Sequence, residues 1–313
     1  MAIVGSLASA RGARRSSRMA RREALWGFAC ASPWLVGFVV FTAGPMLASI
    51  VLSLTSWDLI TPLHFVWFQN YRTLVAGDAT VWHSLAVTSF YAVLAVPLNT
   101  ACGLALAILL NQQIKLQRLI RTVFYLPSVV SGVAVALLWE WIFSPDFGVL
   151  NALLGYVGIK GPAWLADPRT VIFAFVIMSL WGVGSGMIIY LAGLQGIPTD
   201  LYEAAQVDGA GSVRQFWQIT VPMLSPVIFF NVIIGIIGAL QTFTQAFIMT
   251  NGGPNDASLF FMLYLYRNAF QYFKMGYASA LAWVLFIYIM LLTLLVIRSS
   301  AVWVYYEGRT RGR

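Results

Sequence analysis

Between Glu23 and Asp58 the chain carries no charged residue, and five later stretches are almost as apolar. A helix needs about 20 such residues to cross the hydrocarbon core of a bilayer. Residues 26–52, 85–110, 122–142, 171–192, 227–250 and 278–297 meet that length. No segment alternates at period two for long enough to make a β-barrel. The expected fold class is therefore all-α: a polytopic membrane protein with six transmembrane helices. Composition agrees, with 60% apolar and 10% charged residues and a mean hydropathy of +0.79. A soluble domain runs at roughly 45–50% and about 25%. That excess excludes a soluble enzyme, a disordered chain and a disulfide scaffold. Cys30 and Cys102 offer neither metal-ligand spacing nor a disulfide framework.

Six spans put both termini on one side, together with residues 111–121 and 193–226. Fourteen of the 19 basic residues fall there, against Arg72, Lys160, Arg169, Arg267 and Lys274 on the other side. The positive-inside rule then places both termini in the cytoplasm of a multi-pass cell-membrane protein. The expected division is a disordered basic arm at 1–25, a six-span domain at 26–297 and a basic tail at 298–313. Residues 1–22 are Arg- and Ser-rich without acids before Glu23, as transit peptides are. A solvated arm touching anionic lipid accounts for the same composition. The apolar run after it is too long for a cleaved signal core and reads as a retained span.

The connection between spans four and five is longer and more polar than the rest. Pro198 ends the fourth span, and Asp200 with Glu203 three residues on reads as a helix N-cap. A short helix over 201–207 is expected to stop at Asp208-Gly209, with a second over 213–220 before Pro222 and Pro226. Leu201, Tyr202, Phe216 and Trp217 are anchors of the kind that dominate interfaces, and Ala204 and Ala205 keep one face thin. Docking onto another protein and resting on lipid headgroups both suit this composition.

Glu203-Ala204-Ala205, Asp208-Gly209-Ala210, Phe216, Ile219, Pro222 and Pro226 resemble the EAA loop of ABC-importer permease subunits. Val221 stands where that pattern has leucine. The third-span residues Arg121-Thr122, Phe124, Leu126-Pro127 and Trp139 look like those of the carbohydrate permeases. So do Gly148-Val149-Leu150-Asn151, Trp164 through Pro168, Thr250-Asn251-Gly252-Gly253-Pro254 and Met275 through Ala280. Among these, the chain is similar to the first permease of glycerol-3-phosphate, lactose and maltose-like systems. The resemblance implies a cytoplasmic coupling helix, with Leu201, Tyr202, Glu203, Ala204, Ala205, Asp208, Gly209, Ala210 and Phe216 meeting an ATPase. It further implies a second homologous permease subunit, two copies of a nucleotide-binding subunit and an extracytoplasmic solute-binding protein. The expected cargo is a sugar, an oligosaccharide or a related polyol or phosphoglycerol solute.

The chain has no Walker A loop and no Gly-Lys dipeptide. It is expected to bind no cofactor or metal and to catalyse nothing, ATP and magnesium belonging to the partner ATPase. An ion-coupled secondary transporter is the alternative, but such carriers place ionisable residues at mid-membrane. Here Glu140 is the only charge inside an expected span, near its end between Trp139 and Trp141. An interfacial residue in an aromatic belt and a contact for sugar hydroxyls are both open for it. A serine hydrolase at Ser185 fails because Val183 breaks G-x-S-x-G. The basic residues follow topology rather than any nucleic-acid motif. A sugar site needs amides and aromatic faces. Asn231, Gln241, Phe243 and Gln245 in span five offer them, Gln241 and Gln245 being placed on one helix face. Helix-to-helix hydrogen bonding is the competing role for these amides.

Overall fold

The computed structural model describes residues 18–112 and 115–305. The chain divides into two units, residues 1–51 and residues 52–313.

In the first unit, α1 (Arg18–Phe38) passes through a π turn at Val39–Ala43 into α2 (Gly44–Ser53). Pro45 has no N–H to give the Phe41 carbonyl, and the wide turn just before it takes up the mismatch. Together they give a helix, Arg21–Ser53, long and apolar enough to cross a membrane. Helix already holds at residues 18–25, so that part of the expected arm is ordered; residues 1–17 lie outside the described residues.

The second unit opens with a two-residue hairpin, β1 (Thr55–Ser56) against β2 (His64–Phe65), antiparallel, with Thr55 opposite Phe65. A short α3 (Gln69–Ala76) leads to α4 (Ala79–Asn111), the central post. Beyond it lie α5 (Gln117–Tyr125), α6 (Gly132–Ile142) and α7 (Val149–Tyr156). Next are α8 (Val171–Leu180), α9 (Gly184–Gln195), α10 (Thr199–Val207) and α11 (Ser212–Gln215). The chain ends in α12 (Val221–Leu240), α13 (Thr244–Met249), α14 (Phe261–Tyr266) and α15 (Met275–Trp303). Among the described residues four helices are long and apolar enough to cross a membrane singly, and up to six crossings result if each of two bent pairs is one span. The helix of α15 runs past residue 298, into the expected tail; residues 306–313 lie outside the described residues.

The breaks are the main departure from six plain rods. In the expected third span, residues 117–129 and α6 meet at a bend of 100°, the geometry of a broken span or of a re-entrant loop. Pro127 supplies no N–H, residues 126–129 tighten into a 3-10 turn, and Val130 is extended. The fourth bends by 47° between α8 and α9, where Trp181, Gly182 and Val183 bond back only three residues, to Met178, Ser179 and Leu180. Gly184 lets that bend approach the other one: a side chain there would collide with the Phe124 carbonyl.

Three apolar clusters fix α4 among its neighbours. Tyr91 and Ala95 meet Trp139, Phe143, Phe175 and Phe260. Ala107 and Leu110 meet Met187, Tyr190, Leu194 and Leu224. Val81 packs with Leu74, Phe261, Leu281 and Leu285. The last turn of α4 is closed by Arg121, whose guanidinium donates to the Leu110 carbonyl at 2.9 Å. A cation there also suits the negative end of the helix dipole. At the opposite end Asp78 caps the helix, accepting from the Thr80 N–H at 3.0 Å. The same carboxylate accepts from the hydroxyls of Tyr264 and, at 2.7 Å, Tyr277, tying α14 and α15 to α4. Burial pushes the Asp78 pKa up, but the hydrogen bonds from Tyr264, Tyr277 and Thr80 outweigh it and hold it below the ordinary value.

Candidate functional site

Two features stand out: an exposed helix between spans four and five, and a cavity beside α12. The helix, α10, starts at Thr199 with Pro198 before it and no side-chain cap. Asp200 is therefore in the first turn and not at the N-cap; its charge faces the positive end of the helix, which is favourable without capping. The far end closes as a Schellman motif. The Ala210 N–H reaches the Ala205 carbonyl at 2.8 Å and the Gly209 N–H reaches Gln206 at 3.0 Å. Gly209 has φ +77°, a conformation that costs a residue with a Cβ.

Leu201, Glu203, Ala204, Gln206, Val207 and Asp208 are exposed, whereas Tyr202 turns inward. The Tyr202 hydroxyl lies 2.9 Å from the Thr220 hydroxyl, and its ring packs against the apolar cluster that holds Leu194, Ile197 and Leu224. Gln215 donates to the Ala210 carbonyl at 2.8 Å. The first bond straps α10 to the chain that follows, and the second ties the loop after α10 to α11. That chain is not the separate short helix expected over 213–220. Helix runs from Ser212 to Leu240 through a π turn at Phe216–Thr220, in which the Val221 N–H bonds Phe216. Pro222 falls in the first turn of α12, where its missing N–H is tolerated, and Pro226 is carried inside the helix. Phe216 is half-buried, and Trp217 beside it is exposed.

The cavity holds about 660 Å³ and brings Asn231, Gln241, Phe243 and Gln245 together. Gln241 and Gln245 do not share a continuous turn, however. The regular helix stops at Leu240, residues 241–243 break it, and Gln245 belongs to α13. Gln241 is exposed, Phe243 and Gln245 are half-buried, and Phe243 stacks on Phe247 at 5.5 Å. Asn231 donates to the Val227 carbonyl at 3.0 Å, which leaves its own carbonyl oxygen free to accept.

Sequence reasoning missed the opposite wall: Tyr91, Asn99 and Thr100 of α4, and Ser185 and Tyr190 of α9. Asn99 donates to Ala95 and to Ser179, each at 2.8 Å. A lone amide in an apolar span is the signal that marks Asn231, and it applies equally to Asn99. None of the lining residues carries a charge. Glu140 lies elsewhere, in a second cavity with Trp141, Phe147 and Pro254.

Residues 99–304 match the family of binding-protein-dependent transport system inner membrane components. The chain belongs to that family. The "Probable ABC transporter permease protein YesP" of Bacillus subtilis is 44% identical over 301 residues, covering 95% of this chain and 97% of that protein. The trehalose/maltose transport system permease MalF of Thermococcus litoralis is 32% identical over 289 residues, covering 90% and 96%. The sulfoquinovosyl glycerol permease SmoG of Agrobacterium fabrum is 36% identical over 248 residues, with 79% of each chain covered. A chain of a bacterial ABC transporter that imports alginate shares the fold, with a TM-score of 0.77 at 24% identity over 90% of this chain and 96% of that one. This inner membrane component is thus a permease with a family-wide fold, and the secondary-carrier alternative has no support.

Proposed function

We propose that this permease carries a neutral carbohydrate across the cell membrane, driven by ATP that partner subunits hydrolyse. The relative named for sulfoquinovosyl glycerol, which bears a sulfonate, supports a carbohydrate only, and the one named for trehalose and maltose supports a neutral sugar. So does a cavity lined by amides, hydroxyls and aromatic rings and by no charge. Both termini lie in the cytoplasm, following the basic residues. Outside, a solute-binding protein delivers the sugar. A second, homologous permease completes the channel, and two copies of an ATPase subunit, which hold ATP and magnesium, dock below.

The observation that carries the mechanism is the strap between α10 and the helical turns that lead into α12. The exposed face of α10 fits a cleft in an ATPase subunit, with Leu201, Glu203, Ala204 and Val207 presented and Tyr202 held back. When the ATPases close on ATP, α10 moves with them. The Tyr202–Thr220 and Gln215–Ala210 bonds hand that movement to the start of a helix whose other end is the cavity wall. The cavity then opens alternately to the two sides, and the sugar passes unchanged.

The test is Glu203→Lys in the assembled importer. It should abolish co-purification of the ATPase, or uncouple sugar-stimulated ATP hydrolysis. Full retention of both sinks the docking assignment. Uptake that survives ATP depletion while a proton gradient is kept would sink the energy source.

A further inference from the structure

We propose that the second cavity, at the end of α6, holds the headgroup of an aminophospholipid, with Glu140 taking its primary ammonium and the exposed side of α6 carrying its acyl chains. The inference concerns the membrane around the permease and does not depend on which cargo passes.

Glu140 sits two residues from the end of α6, in a helix that is otherwise uncharged. An acid placed in a membrane span calls for a partner. Its side chain is exposed, and among the described residues no hydrogen bond or ion pair takes up its carboxylate. The cavity beside it holds about 570 Å³ and is walled by Leu137, Trp141, Phe143, Phe147, Leu165 and Pro254, with no Lys, Arg or His in its lining. The chain thus sets one negative charge in an apolar, aromatic recess and supplies no cation to meet it. A ligand with one positive charge completes the recess. The carboxylate pairs with it, and the rings of Trp141 and Phe147, 51% and 66% exposed, attract it further.

The rest of α6 shows what else the ligand carries. Val133, Leu137 and Trp141 recur at four-residue spacing on one face, all exposed. On the opposite side Ala136 and Trp139, with Phe143 just beyond the helix, are buried in the cluster around Tyr91 and Phe175. A cation at the rim with hydrocarbon directly beside it is the outline of a phospholipid, which brings both in one molecule. Trp139 and Trp141 on either side of Glu140 suit the depth of the headgroups. A primary ammonium has three N–H donors for the carboxylate, whereas a choline headgroup has none. An anionic headgroup such as phosphatidylglycerol is repelled. The site also adjoins the cargo cavity, because α13 gives Met249 to one and Gln245 to the other. A lipid seated there braces α6 against α13.

The experiment uses the complete importer, purified in detergent and read by native mass spectrometry after equal additions of phosphatidylethanolamine and phosphatidylglycerol. The wild type should retain phosphatidylethanolamine in preference. Glu140→Gln should lower that retention about tenfold, the loss of one charge-assisted bond, and leave phosphatidylglycerol unchanged. Asp146→Asn, which removes an exposed acid outside the lining, should behave as the wild type. Equal retention of the two lipids by the wild type, wild-type retention of phosphatidylethanolamine by Glu140→Gln, or an equal loss in both variants overturns the proposal. So does release of the second permease or the binding protein by Glu140→Gln with lipid retention intact, which assigns Glu140 to a protein partner instead. Where Glu140→Gln fails to assemble, Phe147→Leu, in the loop after α6, should lower phosphatidylethanolamine retention about two- to tenfold, and wild-type retention there overturns the proposal equally.

Discussion

Asp78 joins three helices through a single carboxylate, so its ionisation bears directly on the fold. Its pKa is lowered in the folded chain, so its contribution is fully present above the unfolded value of about 3.9 and is lost as pH falls through the lower, folded one. Asp78→Asn keeps the shape but gives up the charge-assisted bonds to Tyr264 and Tyr277, and should destabilise the permease by about 1–3 kcal/mol at neutral pH. Thermal unfolding in detergent at pH 7 and at acidic pH checks both points. The gap between wild type and variant should narrow in acid, and a gap independent of pH would contradict the assignment. Residues of this kind were hard to see in the sequence. Nothing near Asp78 announces that tyrosines 264 and 277 will converge on it, because the pairing is made by tertiary packing across nearly two hundred positions. Asn99 and Tyr190 stayed hidden for a related reason. An amide and a phenol inside apolar spans are readable as polar, but which face turns toward a cavity depends on the bends.

At the scale of elements, the spans were legible because lipid imposes a length and a polarity that composition alone reveals. The ends of α10 were legible as well: Pro198 and Gly209 mark them by backbone chemistry. The breaks were only partly so. Pro127 foretold one, but Gln241, Thr242 and Phe243 are ordinary helix residues, and the interruption there is tertiary. The continuity of residues 212–240 ran against the local signal, since Pro222 and Pro226 read as stops. A π turn precedes Pro222, and α12 carries Pro226 inside it. The Schellman end of α10 is the sharpest element to test. Gly209→Ala must hold φ +77° with a Cβ present and should cost about 1 kcal/mol; Gly209→Pro cannot adopt it at all. Graded loss of ATPase co-purification, alanine before proline, is expected in a pull-down. Equal retention by both variants would show that the end of α10 does not need this geometry.

For the molecule as a whole, the arrangement amounts to a lever. One end of a long helix is tied to α10, and the other end forms the wall that holds the cargo. A lever works only if it is stiff, and at the π turn Phe216–Thr220 the regular hydrogen bonding changes, with a single turn of α11 on one side and α12 on the other. Softening that turn should separate the two halves of the cycle without touching either site. Two glycines inserted after Gln218 leave the exposed face of α10 and the cavity residues intact. They remove the fixed path between Gln215 and Val221. ATPase subunits should still bind, and ATP should still be hydrolysed, while sugar uptake falls at least tenfold. Uptake assays and phosphate release on the same proteoliposomes measure the two sides together. If transport stays coupled after the insertion, movement reaches the cavity through some other contact, such as the packing of Tyr202 against the apolar cluster that holds Leu194 and Leu224, and α12 is a wall rather than a lever.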